Sequence, residues 1–143
     1  GAKKSMIENA HKYGLQLGMA FQIMDDAMDY SLSSRSMGKN SGDDFLDQKI
    51  TLPVIFAYAD GNDDERMFWR KTMHNGDVDD GDFDTALNIL QRHDAIERSI
   101  SEAIKYANAA EESVELIANQ STAEPALLES LAEAARFAAH RQT

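Results

Sequence analysis

The sequence predicts an all-α protein built as an antiparallel helical bundle. Three observations carry that prediction. Apolar residues recur at three- and four-residue spacing through long stretches, as in Tyr13, Leu17, Ala20, Met24 and Met28. Gly, Pro, Asn and Asp gather at short connections between those stretches. Alternating strand patterns are nearly absent, and no internal repeat is visible. The 143 residues fit one domain by length, and a hydrophobic content of 43% is enough for a core.

The first predicted helix runs from about Lys4 to Tyr30. Ser31 to Gln48 reads as loop, rich in Ser, Gly and Asp, with Arg35 solvated. A second helix begins near Thr51, tolerates Pro53 in its first turn, and ends at Asp60-Gly61. Its Leu52, Val54, Ile55, Phe56 and Tyr58 are nearly continuous, which predicts burial. The third helix covers about Asp63 to Met73, with Asn62 or Asp63 as cap and Phe68 and Trp69 as packing residues. Asn75 to Asp84 is acidic and hints at a calcium loop. The pattern fails, because position 82 is Asp where glycine is needed and position 88 is Asn where Glu is needed. It reads instead as a solvated turn, with Asp82 capping a fourth helix from about Phe83 to His93. Asp94, with Glu97 three residues on, predicts the cap of a fifth helix over Ala95 to Asn119. Ile96, Ile100, Ile104, Ala107, Ala110, Val114 and Ile117 form its inner stripe. Ser121-Thr122 breaks it, and Pro125 sits in the first turn of a sixth helix that runs to about His140. The last two helices carry too few heptads, and too much alanine, for a coiled coil.

Composition excludes several classes of function. A net charge of −11 argues against nucleic acid and against attraction to anionic lipid. No apolar run approaches the ~20 residues of a spanning helix. No signal-peptide pattern stands at the start. The absence of cysteine excludes disulfides and thiol chemistry and fits a reducing cytoplasm.

Chemistry concentrates at the end of the first predicted helix, in Phe21-Gln22-Ile23-Met24-Asp25-Asp26-Ala27-Met28-Asp29-Tyr30. Each helical residue turns roughly 100°, so with Asp25 at 0°, Asp29 lies at about 40°, Gln22 at about 60° and Asp26 at about 100°. The remaining arc holds Leu17, Ala20, Phe21, Met24, Ala27 and Met28, which predicts core. No Lys or Arg lies between Lys12 and Arg35 to offset the three acids locally. Such a stripe suits a hard divalent cation, Mg²⁺ above all, held by one or two carboxylates plus substrate phosphates. Asp25, Asp26 and Asp29 are the candidate ligands. The pattern alone fits equally a solvated acidic face, or acids paired with bases elsewhere. His11, several turns upstream, reads as a surface or satisfied residue.

The next stretch favours the cation. Gly38-Lys39-Asn40-Ser41-Gly42-Asp43-Asp44-Phe45 is a glycine-flanked polar loop, and Gln48-Lys49-Ile50-Thr51-Leu52-Pro53 leads into the next helix. Two lysines ten positions apart, downstream of an acid stripe, suit a diphosphate. Glycines let backbone approach such a ligand. Each lysine alone would read as an ordinary surface charge.

Together, Tyr13-Gly14-Leu15-Gln16-Leu17-Gly18, Phe21-Gln22, the DD-x-x-D, Gly38-Lys39, Gly42-Asp43-Asp44-Phe45 and Lys49-Ile50-Thr51-Leu52-Pro53 resemble the second aspartate-rich region of the trans-isoprenyl diphosphate synthases, the polyprenyl synthetase family. The likeness covers about forty residues in order and is closest in phrase order to bacterial long-chain members such as octaprenyl diphosphate synthases. Asp47-Gln48 before Lys49 departs from the glycine of many relatives. The family's first aspartate-rich motif and isopentenyl-diphosphate-binding residues would lie upstream. The resemblance therefore implies that residues 1–143 are a C-terminal portion of the isoprenoid synthase fold, without the N-terminal half.

What the resemblance implies is prenyl transfer: an allylic prenyl diphosphate, ionised with Mg²⁺, is elongated head-to-tail by isopentenyl diphosphate to a trans-polyprenyl diphosphate. It implies Asp25 as direct Mg²⁺ ligand, with Asp26 and Asp29 ligating or holding metal-bound water. Asp25, Asp26 and Lys39 become the catalytic candidates. Lys39 and Lys49 would hold the allylic diphosphate, Gln22 would line the cavity, and Phe21 would shape its floor. Asp43 and Asp44 would cap the loop or act from behind the ligands. Homodimers are usual in the family, and the chain alone is expected to be inactive and to expose apolar surface. The competing expectations are a non-catalytic partner subunit of such a synthase, a terpene cyclase or head-to-head condensing enzyme, and a helical interaction protein with solvated acids. The Gly38-Lys39 and Lys49-to-Pro53 phrases favour elongation.

Overall fold

In a computed structural model, which describes residues 3–31, 42–120 and 122–140, all regular structure is helical. The elements are α1 (Lys4–Asp29), α2 (Asp43–Leu46), α3 (Leu52–Asp60), α4 (Asp63–Trp69, continued by a π turn over Arg70–His74), α5 (Asp82–Arg92), α6 (Ala95–Ala118) and α7 (Pro125–His140). Two compact units result, one of residues 1–24 and 101–142 and the other of residues 25–100.

The first unit is built on small residues. Ala20, Ala107, Ala138 and Ala139 form one cluster, and Tyr13, Ala110, Val114, Ala132 and Ala135 another. Alanine lets helix backbones approach closely, so this core needs few large side chains. Tyr13 anchors it by donating its hydroxyl hydrogen to the Leu131 carbonyl at 2.9 Å. Buried Asn9, Tyr13 and Ala20 recur at steps of four and seven residues, which gives α1 one buried face. The other face is open: Ile7, Leu15, Met19 and Phe21 are all exposed. Phe21 was expected in the core and the first helix buried on most sides. Periodicity shows which residues are apolar, not how much of each helix face the rest of the chain covers.

The second unit is built on large residues. Tyr30, Phe45, Trp69 and Leu90 are nearly inaccessible, packed with Val54, Ala57 and Ile89. Helix α3 is less buried than its apolar run predicts, with Ile55 about half exposed at 48%. Asn62 caps α4 in a reciprocal capping box with Glu65: the Glu65 N–H donates to Asn62 Oδ1 and the Asn62 N–H to Glu65 Oε2, both at 3.0 Å. Gly81, not Asp82, stands at the cap position of α5. The Asp82 carboxylate turns back to accept the Asp79 N–H at 2.8 Å and the Lys71 ammonium at 3.0 Å. Lys71 also reaches Asp79 at 2.7 Å, so the acidic turn closes on one lysine. Asp94, read as a cap, has φ +48 and makes the sharp join between α5 and α6.

Candidate functional site

The acid stripe lies on the last two turns of α1. Asp25 is exposed, while Asp26 and Asp29 are half-buried. Phe21 and Gln22 stand one turn before Asp25 on the helix and are exposed. Among the described residues, no three His, Cys, Asp or Glu side chains converge as a cluster able to hold a metal ion.

One reason is visible at Asp29. Its Oδ2 accepts the backbone N–H of Asp44 at 3.1 Å, and its carbonyl accepts the Gly42 N–H at 3.2 Å. Helix α1 is thereby tied to α2, a turn of helix inside a stretch expected to be loop. Burial pushes the Asp29 carboxyl above its ordinary value, and the nearby Asp44 and Asp43 charges push the same way. The hydrogen bonds from Asp44 and Gly42 oppose that shift.

Helix α2 exists because of its surroundings. Gly42 has φ +91, the left-handed region that favours glycine. A Cβ at Gly42 would stand 2.6 Å from the Phe83 ring, so only glycine fits there. Phe45, fully buried, meets the same ring with centroids 5.6 Å apart, and Tyr30 meets it at 6.3 Å. The glycine and phenylalanine of Gly42-Asp43-Asp44-Phe45 thus set where the loop docks.

Asp44 joins the stripe to Lys49. Its Oδ1 accepts the Lys49 ammonium at 2.7 Å, while its N–H serves Asp29. Lys49 also lies 3.5 Å from Asp47 and remains half-exposed. The hydrogen bond and charge of Asp44 push the Lys49 amine above its ordinary value, so it is held as a cation. Asp29, Asp44 and Lys49 therefore form one chain of contacts. Lys39, with Gly38, lies outside the described residues.

The expected site residues missed a second polar cluster, away from the stripe. Buried Glu65 binds Arg92 through Oε1 and lies 3.0 Å from His93 Nε2 through Oε2. Burial works to raise its carboxyl, but the His93, Asn62 and Arg92 hydrogen bonds outweigh it and hold Glu65 below the ordinary carboxylate range. The sequence signal was the Asn62-to-Glu65 capping spacing.

Comparison with known proteins bears on the chain as a whole. The polyprenyl synthetase family description matches residues 1–90. Octaprenyl diphosphate synthase of Haemophilus influenzae is 31% identical over 117 residues, which are 82% of this chain and 35% of that protein. Heptaprenyl diphosphate synthase component 2 of Geobacillus stearothermophilus is 31% identical over 110 residues, 77% of this chain and 33% of its own length. The chain thus spans about a third of the length of these relatives. Among solved structures, a polyprenyl synthase of Caulobacter crescentus, complexed with calcium and isoprenyl diphosphate, aligns with a TM-score of 0.81 at 33% identity. That alignment covers 100% of this chain and 42% of the other.

Proposed function

The chain belongs to the polyprenyl synthetase family, and on that premise we propose that it carries the cation- and allylic-diphosphate-binding portion of a prenyltransferase. The enzyme would elongate an allylic prenyl diphosphate with isopentenyl diphosphate to a trans-polyprenyl diphosphate, as a cytoplasmic homodimer. Residues 1–143 would be the C-terminal portion of its single domain, inactive alone. The observation that carries this reading is the chain of contacts from the acid stripe through Asp44 to Lys49. It links Lys49, through Asp44, to Asp29 at the end of the stripe, which supports reading the two as parts of one metal–diphosphate site.

The residues fit Mg²⁺ in the way that ion prefers. It needs one or two carboxylates, with substrate phosphates and water completing the shell, and the exposed Asp25 supplies such a carboxylate. Asp25 and Asp26 would hold the ion, with Asp29 reaching it through water. When bound, it would supply positive charge to the departing diphosphate oxygens. Lys39 and Lys49 would grip the same diphosphate, Asp44 would position Lys49, Gln22 would line the cavity and Phe21 would shape its floor. Loss of diphosphate from the allylic carbon leaves a cation. The isopentenyl double bond attacks it, and loss of a proton forms the new trans double bond.

Mixing radiolabelled isopentenyl diphosphate, farnesyl diphosphate and Mg²⁺ with the full-length enzyme should give labelled polyprenyl product, and with the 143-residue chain none. Robust product from the chain alone would overturn the proposed division of the site. A second reading, a non-catalytic partner subunit, draws on the component 2 designation of the Geobacillus relative. Under it, Asp25→Ala in the assembled enzyme would leave turnover intact.

A further inference from the structure

Helix α3 and the α4 π turn enclose a cleft of about 580 Å³ within the second unit. That size lies within the range of small-molecule sites, roughly 300–1,000 Å³. Its walls are Ile50, Val54, Ile55 and Met73, with Trp69 and Tyr58. Among the described residues, none of the proposed stripe or diphosphate residues lines it.

Its polar groups share one character. Arg70 and His74 stand on its border, and no carboxylate among the described residues lines it, although the chain as a whole carries a net charge of −11. Arg70 spends Nε on the Tyr58 hydroxyl at 3.0 Å and lies over the Tyr58 ring at 5.9 Å. No ion pair engages its guanidinium among the described residues, while Arg92, Arg98 and Arg136 each pair with a carboxylate. Trp69 is 2% exposed, yet its Nε1 meets no acceptor among the described residues. A buried N–H without a partner is costly and rare. The cleft therefore combines apolar walls with unspent donors and positive charge.

We propose that this cleft binds a free single-chain amphiphile, its hydrocarbon body against Ile50, Val54, Ile55 and Met73 and its anionic head against Arg70 and Trp69 Nε1. The hydrocarbon meets walls that offer no polar partner. A phosphate or carboxylate head brings several acceptor oxygens, enough for both donors. The site is separate from the acid stripe and needs no divalent cation.

Trp69 is the only tryptophan in the sequence, so its fluorescence reports the cleft directly. The test titrates the 143-residue chain with dodecyl phosphate below its micelle-forming concentration, without Mg²⁺, and checks the stoichiometry by calorimetry. Saturable 1:1 binding is expected. Inorganic phosphate and dodecanol, which each lack half of the ligand, should bind at least about tenfold more weakly. Arg70→Ala should weaken dodecyl phosphate about tenfold or more. Ala59→Phe, on an exposed position of the lining, should block entry. Asp25→Ala should leave binding unchanged, which separates this result from the fate of the proposed catalytic site. Absence of saturable binding, equal binding of dodecyltrimethylammonium, or parental affinity in both Arg70→Ala and Ala59→Phe would overturn the proposal. So would a response to anionic vesicles alone, which would mark a membrane surface instead.

Discussion

The end of α1 and the start of α4 each hold a carboxylate partly or wholly out of water, in opposite surroundings. Glu65 is buried among donors, with Arg92, His93 and the Asn62 N–H all serving it, and its acidity is strengthened. Asp29 is half-buried among acids, with the backbone N–H groups of Asp44 and Gly42 opposing the shift, and its acidity is weakened. The first arrangement stabilises the fold. The second costs stability and makes sense where a ligand later brings positive charge. The contrast sets a carboxylate that the fold satisfies apart from one that it leaves costly.

The comparison is broken most severely by Glu65→Ala. It removes half of the capping box and leaves Arg92 and His93 without their shared acceptor. The expected loss is about 3 kcal/mol, read from urea unfolding. An effect below about 0.5 kcal/mol would show the cluster to be decorative. The sign of its pH dependence follows from the direction of the shift. A carboxyl held below its ordinary 4.5 contributes stability above that value and loses it as pH falls through the folded value. Parent and Glu65→Gln should therefore converge in melting temperature in acid and diverge toward neutrality.

Gly42→Ala should come next, at about 2 kcal/mol. It forces a side chain into the left-handed region and against Phe83. Circular dichroism melts test this, and an unchanged melting temperature would mean that the Gly42 turn relaxes freely.

Asp29→Asn sharpens the contrast with the smallest effect. A raised folded value means that ionising Asp29 costs stability above that value, so a neutral amide removes the cost at pH 7. The Asn oxygen still accepts from Asp44. Without metal, the variant should melt at or slightly above the parent, with a gain under about 1 kcal/mol because the site is partly solvated. The gain should vanish in acid, where the parent carboxyl is neutral. A clear loss of stability would place Asp29 in the same class as Glu65.

Much of this was legible in the sequence where local rules decide. Spacing of three and four located the long helices to within a residue or two, and Pro125 and Asn62 marked their starts. Helix α2 was not legible, because four residues cannot sustain a helix; the Asp29 carboxylate and the burial of Phe45 do so. Asp82 looked like a cap, but a lysine of the α4 π turn, eleven residues upstream, competes for its carboxylate. The exposure of Phe21 and Ile55 was invisible because hydrophobicity does not tell how fully a residue is covered. Helical spacing grouped Asp25, Asp26 and Asp29 at the end of α1 but left open whether they hold a cation or face solvent. The Asp44 link to Lys49 depends on a turn that the sequence only suggested through Gly42.

The central claim is that the α1 acids are held at the expense of stability for the sake of a bound cation and diphosphate. It is tested most directly by Asp25→Ala in the full-length enzyme, with elongation rate across Mg²⁺ concentration measured beside the metal-free melt. Loss of one well-placed electrostatic stabiliser should lower turnover roughly a hundred- to thousandfold, since that interaction is strongest in the transition state. The metal-free melting temperature should hold or rise, because one of three neighbouring negative charges is gone. Near-normal turnover, or a variant that simply unfolds, would contradict the account and make the stripe structural.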